Sequence, residues 1–200
     1  FMGCSAVEVN YKTTQIDSLS LIYNSKSSIL NLNDCPFDLA SQTIDFIQKK
    51  YNKQIDLLLV GYAGAGPYPQ CFVMSEDDKI KAATNKKAQF LEQGLKFIEK
   101  VKPKYFMPFA GTYRLAGTLN KLNKFRGVPE IQEALNYYKS KIEFSHGFLL
   151  NPFESFDIGK IKFSSSFNQD SIIEQKCYND KISDLKLDYQ YDEFPDPDDI

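Results

Sequence analysis

A mixed α/β fold is predicted by three features of this sequence. Apolar residues alternate with polar ones in AVEVNY (6–11) and SLSLIYN (18–24), the period of a half-buried strand. From Phe37 the apolar spacing changes to that of a helix. IDLLLVGY (55–62) is then a continuous apolar run, as a strand covered on both faces requires. A leading hairpin followed by alternating helices and strands places helices on the faces of a mixed sheet.

The elements follow in order. SLSLIYN puts Leu19 and Leu21 on one face, and the turn SKS leads into SILNLN (28–33), a β-hairpin ending at Asp34. Phe37, Ala40, Ile44 and Ile47 predict a helix over 37–51, with Pro36 suited to its first turn. Residues 76–102 read as a long helix whose apolar side carries Ala83, Phe90, Leu91, Leu95, Phe97, Ile98 and Val101, stopped by Pro103. KYFMPFAG (104–111) reads as a strand running into a glycine turn, and PEIQEALNYYKS (129–140) as a helix opened by Pro129. IEFSHGFLL (142–150) and IGKIKFSS (158–165) read as strands. The last 20 positions hold seven acidic residues and two prolines against two lysines, which marks 181–200 as an acidic tail beside one domain over 1–180.

Bulk properties narrow the function. The 200 residues suffice for a real core, and a net charge of −2 gives no electrostatic footprint for nucleic acid. No signal peptide or bilayer-spanning run is recognisable, so no membrane partner is expected. The cysteines at 4, 35, 71 and 177 form no CxxC pair, which argues against a zinc knuckle and for free thiols in a reducing cytoplasm. The chain opens on Phe1 and reads as a fragment of something longer.

Four places are candidates for chemistry. Asp34, in NLNDCPFD (31–38), is either a helix cap or a carboxylate ligand held at a strand end. The loop in VGYAGAGPYPQCF (60–72) has glycines at 61, 64 and 66 in neither Walker nor dinucleotide spacing. Tyr62 and Tyr68 either pack there as lids or turn their hydroxyls to substrate. In MPFAGTYRL (107–115), Arg114 is either an exposed structural charge or a clamp for an anionic group. His146 is the only histidine and cannot build a metal site or a relay without partners. Cys35 and Cys71 lie beside two of these loops without a base for a nucleophile, and no GxSxG elbow occurs.

Three stretches taken together carry a resemblance. IDSLSLIYNSKSSILNLNDC (16–35), DLLLVGYAGAGPYPQCF (56–72) and KYFMPFAGTYRLAGTLNKLNKFRGVPE (104–130) resemble, in order and spacing, the second half of metallo-β-lactamase-fold proteins. The nearest likeness is to the branch of the CMP-N-acetylneuraminate hydroxylase metallo-hydrolase-like domain and related bacterial sugar-locus proteins. A more distant one is to the L-ascorbate-6-phosphate lactonase and N-acylphosphatidylethanolamine phospholipase D groups. The resemblance implies an αββα sandwich, only part of which is present. It makes Asp34 the aspartate that bridges two divalent metals, zinc or iron and manganese. The family's His-x-His-x-Asp-His motif is absent, and FAGTYRLAG lacks the further histidine expected after the strand.

The resemblance therefore implies a metal-dependent hydrolase half that holds no metal alone and is completed by an N-terminal half of the same protein. Tyr62, Tyr68 and Arg114 would then face a small anionic substrate, a phosphoryl or carbonyl compound on a sugar or nucleotide-sugar. The competing readings are a binding or scaffold domain that keeps the fold without metals, and a domain of a multi-part oxygenase, for which no cluster ligands are present.

Overall fold

In the computed structural model, which describes residues 2, 3, 18–167, 177, 180, 181 and 183, six strands pair in chain order, from β1 at one edge to β6 at the other. β1 (Met2–Gly3), β2 (Ser18–Tyr23) and β3 (Ser28–Asn31) are antiparallel neighbours. β4 (Leu57–Val60), β5 (Tyr105–Pro108) and β6 (His146–Gly147) then add in parallel. Each parallel step is bridged by a helix: α1 (Phe37–Tyr51), α2 (Glu76–Val101) and α3 (Ile131–Lys139). Parallel crossovers are right-handed in nearly all proteins. Three in succession, advancing in one direction, set all three helices on one face, where they share a core with the sheet.

Local sequence explains the boundaries. The Asn24 Oδ1 accepts the backbone N–H groups of Lys26 (2.7 Å) and Ser27 (2.8 Å), closing the hairpin turn. α1 stops at Asn52, which takes the left-handed conformation at φ 45°. Ser75 caps α2 by accepting the Asp78 N–H at 3.2 Å, with Glu76, Asp77 and Asp78 set against the positive end of the helix dipole. Lys102, also left-handed, ends it before Pro103.

The cross-strand register sorts residues into two faces. Leu30, Leu58 and Phe106 stand in one row facing the helices, each 0% exposed. Against them pack Ala40, Ile44 and Ile47 of α1, Leu95 and Ile98 of α2, and Ala134 and Tyr138 of α3. Gly147 continues the row because a Cβ there would stand 2.4 Å from the Phe106 ring and 2.8 Å from Leu135. Ile22, Ile29, Leu57, Tyr105 and His146 form the matching row on the opposite face. That face is covered unevenly. β7 (Phe156–Asp157) and β8 (Lys162–Phe163) form a small hairpin whose Phe156 ring lies 5.1 Å from that of Tyr105 and 4.7 Å from that of Phe148. Away from it Ile22 is 64% exposed, and Ile29, Leu59 and Met107 are half-buried.

One buried carboxylate ties the starts of three strands. Asp56 accepts the Ser28 N–H (2.8 Å) and hydroxyl (3.1 Å) on one oxygen, and the Lys104 ammonium (2.6 Å) on the other. Burial alone would raise its pKa, but the bonds from Lys104 and Ser28 outweigh it and hold the carboxyl below its usual range.

Several expectations need correction. The strand expected over 142–150 contributes only His146–Gly147 to the sheet, and 158–165 forms one arm of the short β7–β8 hairpin. A 3-10 helix, Gly117–Phe125, fills a stretch for which the sequence suggested no element. The strand expected at 6–11 lies outside the described residues, as does the acidic tail apart from Lys181 and Ser183. No helix among the described residues is long and apolar enough to cross a membrane.

Two outcomes follow for stability. Asp56→Ala leaves the Ser28 N–H and the Lys104 ammonium without their acceptor and costs about 1–3 kcal/mol, measured by urea unfolding. Because the folded pKa is depressed, the Asp56 contribution is present above about pH 4 and lost as pH falls through the folded value. Asp56→Asn therefore flattens the acid limb of the stability profile. Separately, a Cβ on Gly94 would lie 2.0 Å from the Tyr138 hydroxyl, where α2 meets α3. Gly94→Ala should lower stability by about 1–3 kcal/mol in thermal melts, despite alanine's higher helix propensity. Tyr138→Phe, which removes a buried hydroxyl with no hydrogen-bond partner among the described residues, should be neutral or stabilising.

Candidate functional site

Parallel strands deliver their outgoing loops to one edge of the sheet, where α/β proteins place ligands. Here the exits of β3 (32–36), β4 (61–75) and β5 (109–116) meet at that edge. Leu32 N–H donates to Leu59 C=O at 3.1 Å and Phe109 N–H to Val60 C=O at 2.9 Å, so the exits stay paired just past the strands. Two glycines then allow the loops to touch. A Cβ on Gly61 would lie 2.8 Å from the Asn33 carbonyl oxygen, and one on Gly111 would lie 2.9 Å from Ala63. Asn33 (φ 51°) and Ala110 (φ 49°) both hold left-handed backbone beside these contacts. Asparagine tolerates that conformation, whereas for alanine it costs about 1 kcal/mol.

Asp34 sits where the loops converge. It lines a cleft of about 220 Å³ with Gly61, Gly64 and Gly111, and an adjoining one of about 210 Å³ with Cys35, Phe90 and Phe97. The N-cap of α1 is Pro36, which makes no side-chain cap bond, so Asp34 is not the capping residue of that helix. It is exposed, and among the described residues its carboxylate is the nearest approach to chemistry in these clefts.

The other sequence candidates lie elsewhere. Tyr62 points into the core, 2% exposed, and lines neither cleft. Burial, then the Glu130 charge, push its phenol up to about 12, against a hydrogen bond from the Thr112 backbone and the charge of Arg126. It is therefore protonated at neutral pH. Tyr68 is 42% exposed at the loop tip, its ring 5.2 Å from that of Phe72, and its peptide bond to Pro69 is cis. It lines neither cleft. Arg114 donates to Glu130 Oε1 at 2.9 Å, and Arg126 bonds the same oxygen while donating to Tyr113 C=O at 2.7 Å. Glu130 in turn caps α3 in a reciprocal box with Glu133. Arg114 thus joins a knot that fastens the β5 exit to α3, and it does not face the clefts. His146 pairs with Tyr105 at the start of β5, the far end from Asp34.

Local reasoning missed what holds the long loop. Gln70, fully buried, donates from Nε2 to the Tyr113 hydroxyl at 2.6 Å, which donates to Gly66 C=O at 2.8 Å. Lys79 reaches Gln70 C=O at 3.0 Å, and Lys86 reaches Tyr68 C=O at 2.6 Å. Burial lowers the pKa of Lys86. The Gln70 Oε1 has no hydrogen-bond partner among the described residues. No short-range signal announces these bonds, because Gln70 and Tyr113 come together only through the fold.

Among the described residues no three His, Cys, Asp or Glu side chains cluster closely enough to hold a metal. A catalytic zinc or iron site takes three or more protein donors, so the described residues do not fit one. Asp34 by itself can accept hydrogen bonds from a ligand or lend one oxygen to a cation whose other donors come from elsewhere. No protein-family model matches the chain, and no match to it was found among curated proteins or solved structures.

The glycine contacts give a test of the site's construction. Gly61→Ala drives a methyl into the Asn33 carbonyl and should cost about 1–3 kcal/mol, with amide shifts spreading through 32–36 in NMR spectra. Gly66→Ala meets only the flexible Lys86 ammonium, at 3.4 Å. It should stay within about 0.5 kcal/mol of the parent.

Proposed function

We propose that this chain is one half of a metallo-β-lactamase-type αββα sandwich, a sheet with helices on one side. Its part is to supply Asp34 and the glycine loops as one wall of a hydrolytic site for a small anionic substrate. The single observation that carries the reading is the placement of Asp34. It is a carboxylate, not the capping residue of α1, at the edge where three strand exits meet. The partly uncovered apolar side chains Ile22, Ile29, Leu59 and Met107, on the sheet face away from the helices, support a second sheet layer seated there. Because the described residues do not fit a metal, no step of hydrolysis is assigned to them. Their share is to present one oxygen donor, keep the loop backbones close to substrate, and exclude water with Phe90 and Phe97. The choice of a sugar or nucleotide-sugar rests on the sequence resemblance alone.

A second reading has specific support. Arg114 is committed to Glu130, and His146 stands at the opposite end of the sheet. Both fit a binding or scaffold domain that keeps the architecture without metals.

Asp34→Ala in the naturally expressed protein separates the two. The hydrolase reading expects bound transition metal, by elemental analysis, and hydrolysis of phosphate-ester or lactone substrates to be lost together. With metal removed by chelator from both proteins, the unfolding free energy in urea should change by less than about 0.5 kcal/mol, as for an exposed surface residue. Unchanged metal content and activity would overturn the hydrolase reading and leave the binding domain.

A further inference from the structure

At the opposite edge, where the parallel strands begin, a cavity of about 460 Å³ opens between the β2–β3 turn and the end of α1. Its size falls within the range of small-molecule sites, roughly 300–1,000 Å³. Its chemistry is divided. Leu21 and the buried Ile55 make an apolar floor. Tyr23 and Tyr51 form an aromatic wall with ring centroids 4.7 Å apart and planes at 58°. The neighbouring Tyr51 side chain raises the pKa of the Tyr23 phenol.

The polar side of the cavity is cationic. Among the described residues Asp56 is the only carboxylate on its lining, and it is already committed to Ser28 and Lys104. Lys104 spends one of its three donors on Asp56, and its side chain remains 52% exposed. Lys26 and Lys53 line the rim, and neither has an ion pair among the described residues. Three ammonium groups against one satisfied carboxylate leave a net positive mouth over an aromatic wall. The Asp56 network also makes the back of the cavity rigid, because it joins β3, β4 and β5.

We propose that this cavity binds a small molecule with a flat apolar or aromatic body and one anionic group. The body lies against Tyr23 and Tyr51 above Leu21 and Ile55. The carboxylate, sulfonate or phosphate meets Lys26, Lys53 and the free donors of Lys104. The site is separated from Asp34 by the length of the four-residue β4, roughly 13 Å at about 3.3 Å per residue. It therefore does not depend on the hydrolase reading.

The test uses the 200-residue chain and two probes, naphthalenesulfonate and the neutral naphthalenemethanol, titrated while backbone amides are followed by NMR. Both probes should shift amides in 21–28 and 51–56. The double variant Lys26→Glu/Lys53→Glu should weaken the sulfonate about tenfold or more and the alcohol less than about twofold, as expected for charge contacts in a partly wet site. Tyr51→Ala should weaken both probes. If that variant loses its fold by circular dichroism, the lysine pair alone decides. No shift in 21–28 and 51–56 at millimolar probe, shifts centred elsewhere, or equal sulfonate affinity in the charge-reversed variant would each overturn the proposal.

Discussion

The parallel register of β3, β4 and β5 is the constraint on which the rest depends. It aligns Leu30, Leu58 and Phe106 in one fully buried row and obliges each connection to cross the same face. The helices then have one place to pack. The parallel strands β3 to β6 all begin at one edge of the sheet and send their exit loops out at the other. Burial of that row is worth about 1.5–3 kcal/mol per side chain. A slip by one residue would turn the row away from the helices, so the register is strongly specified.

The two edges are finished by different physics. At the starting edge, charge and hydrogen bonding at Asp56 hold the strands together and leave a lysine-rimmed cavity beside the aromatic pair. At the exit edge the loops meet through the absence of side chains, with Gly61 against Asn33 and Gly111 against Ala63. Backbone there is held in left-handed conformations, a form of local strain that concentrates at functional sites. Asp34 is delivered into that crowded corner as the exposed carboxylate of both clefts.

Elements driven by local periodicity were legible in the sequence. The hairpin, α1 and α2 fall where the apolar spacing and the capping residues put them, because each is encoded within a single segment. The 3-10 helix at Gly117–Phe125 and the brevity of β6 were not, since neither has a strong period and both answer to packing against distant residues. The site was half legible. Asp34 and the glycine loop stood out by residue type, and topology brings them to one edge. The roles of Tyr62 and Arg114 were open because burial and ion pairing are long-range outcomes. Tyr62 faces inward from a strand end, and Arg114 meets Glu130 sixteen residues on. Gln70 gave no signal at all, being a glutamine in a loop whose partner is Tyr113.

The most direct measurement of this account is paramagnetic broadening from a nitroxide at position 34, in an Asp34→Cys chain with the native cysteines replaced by serine. Convergence of the strand exits predicts the strongest signal loss at amides 61–65 and 110–112, and little at 24–28 and 53–56. Equal broadening at both edges, or stronger loss around Asp56 than around Gly64, would contradict the register that places Asp34 in its corner.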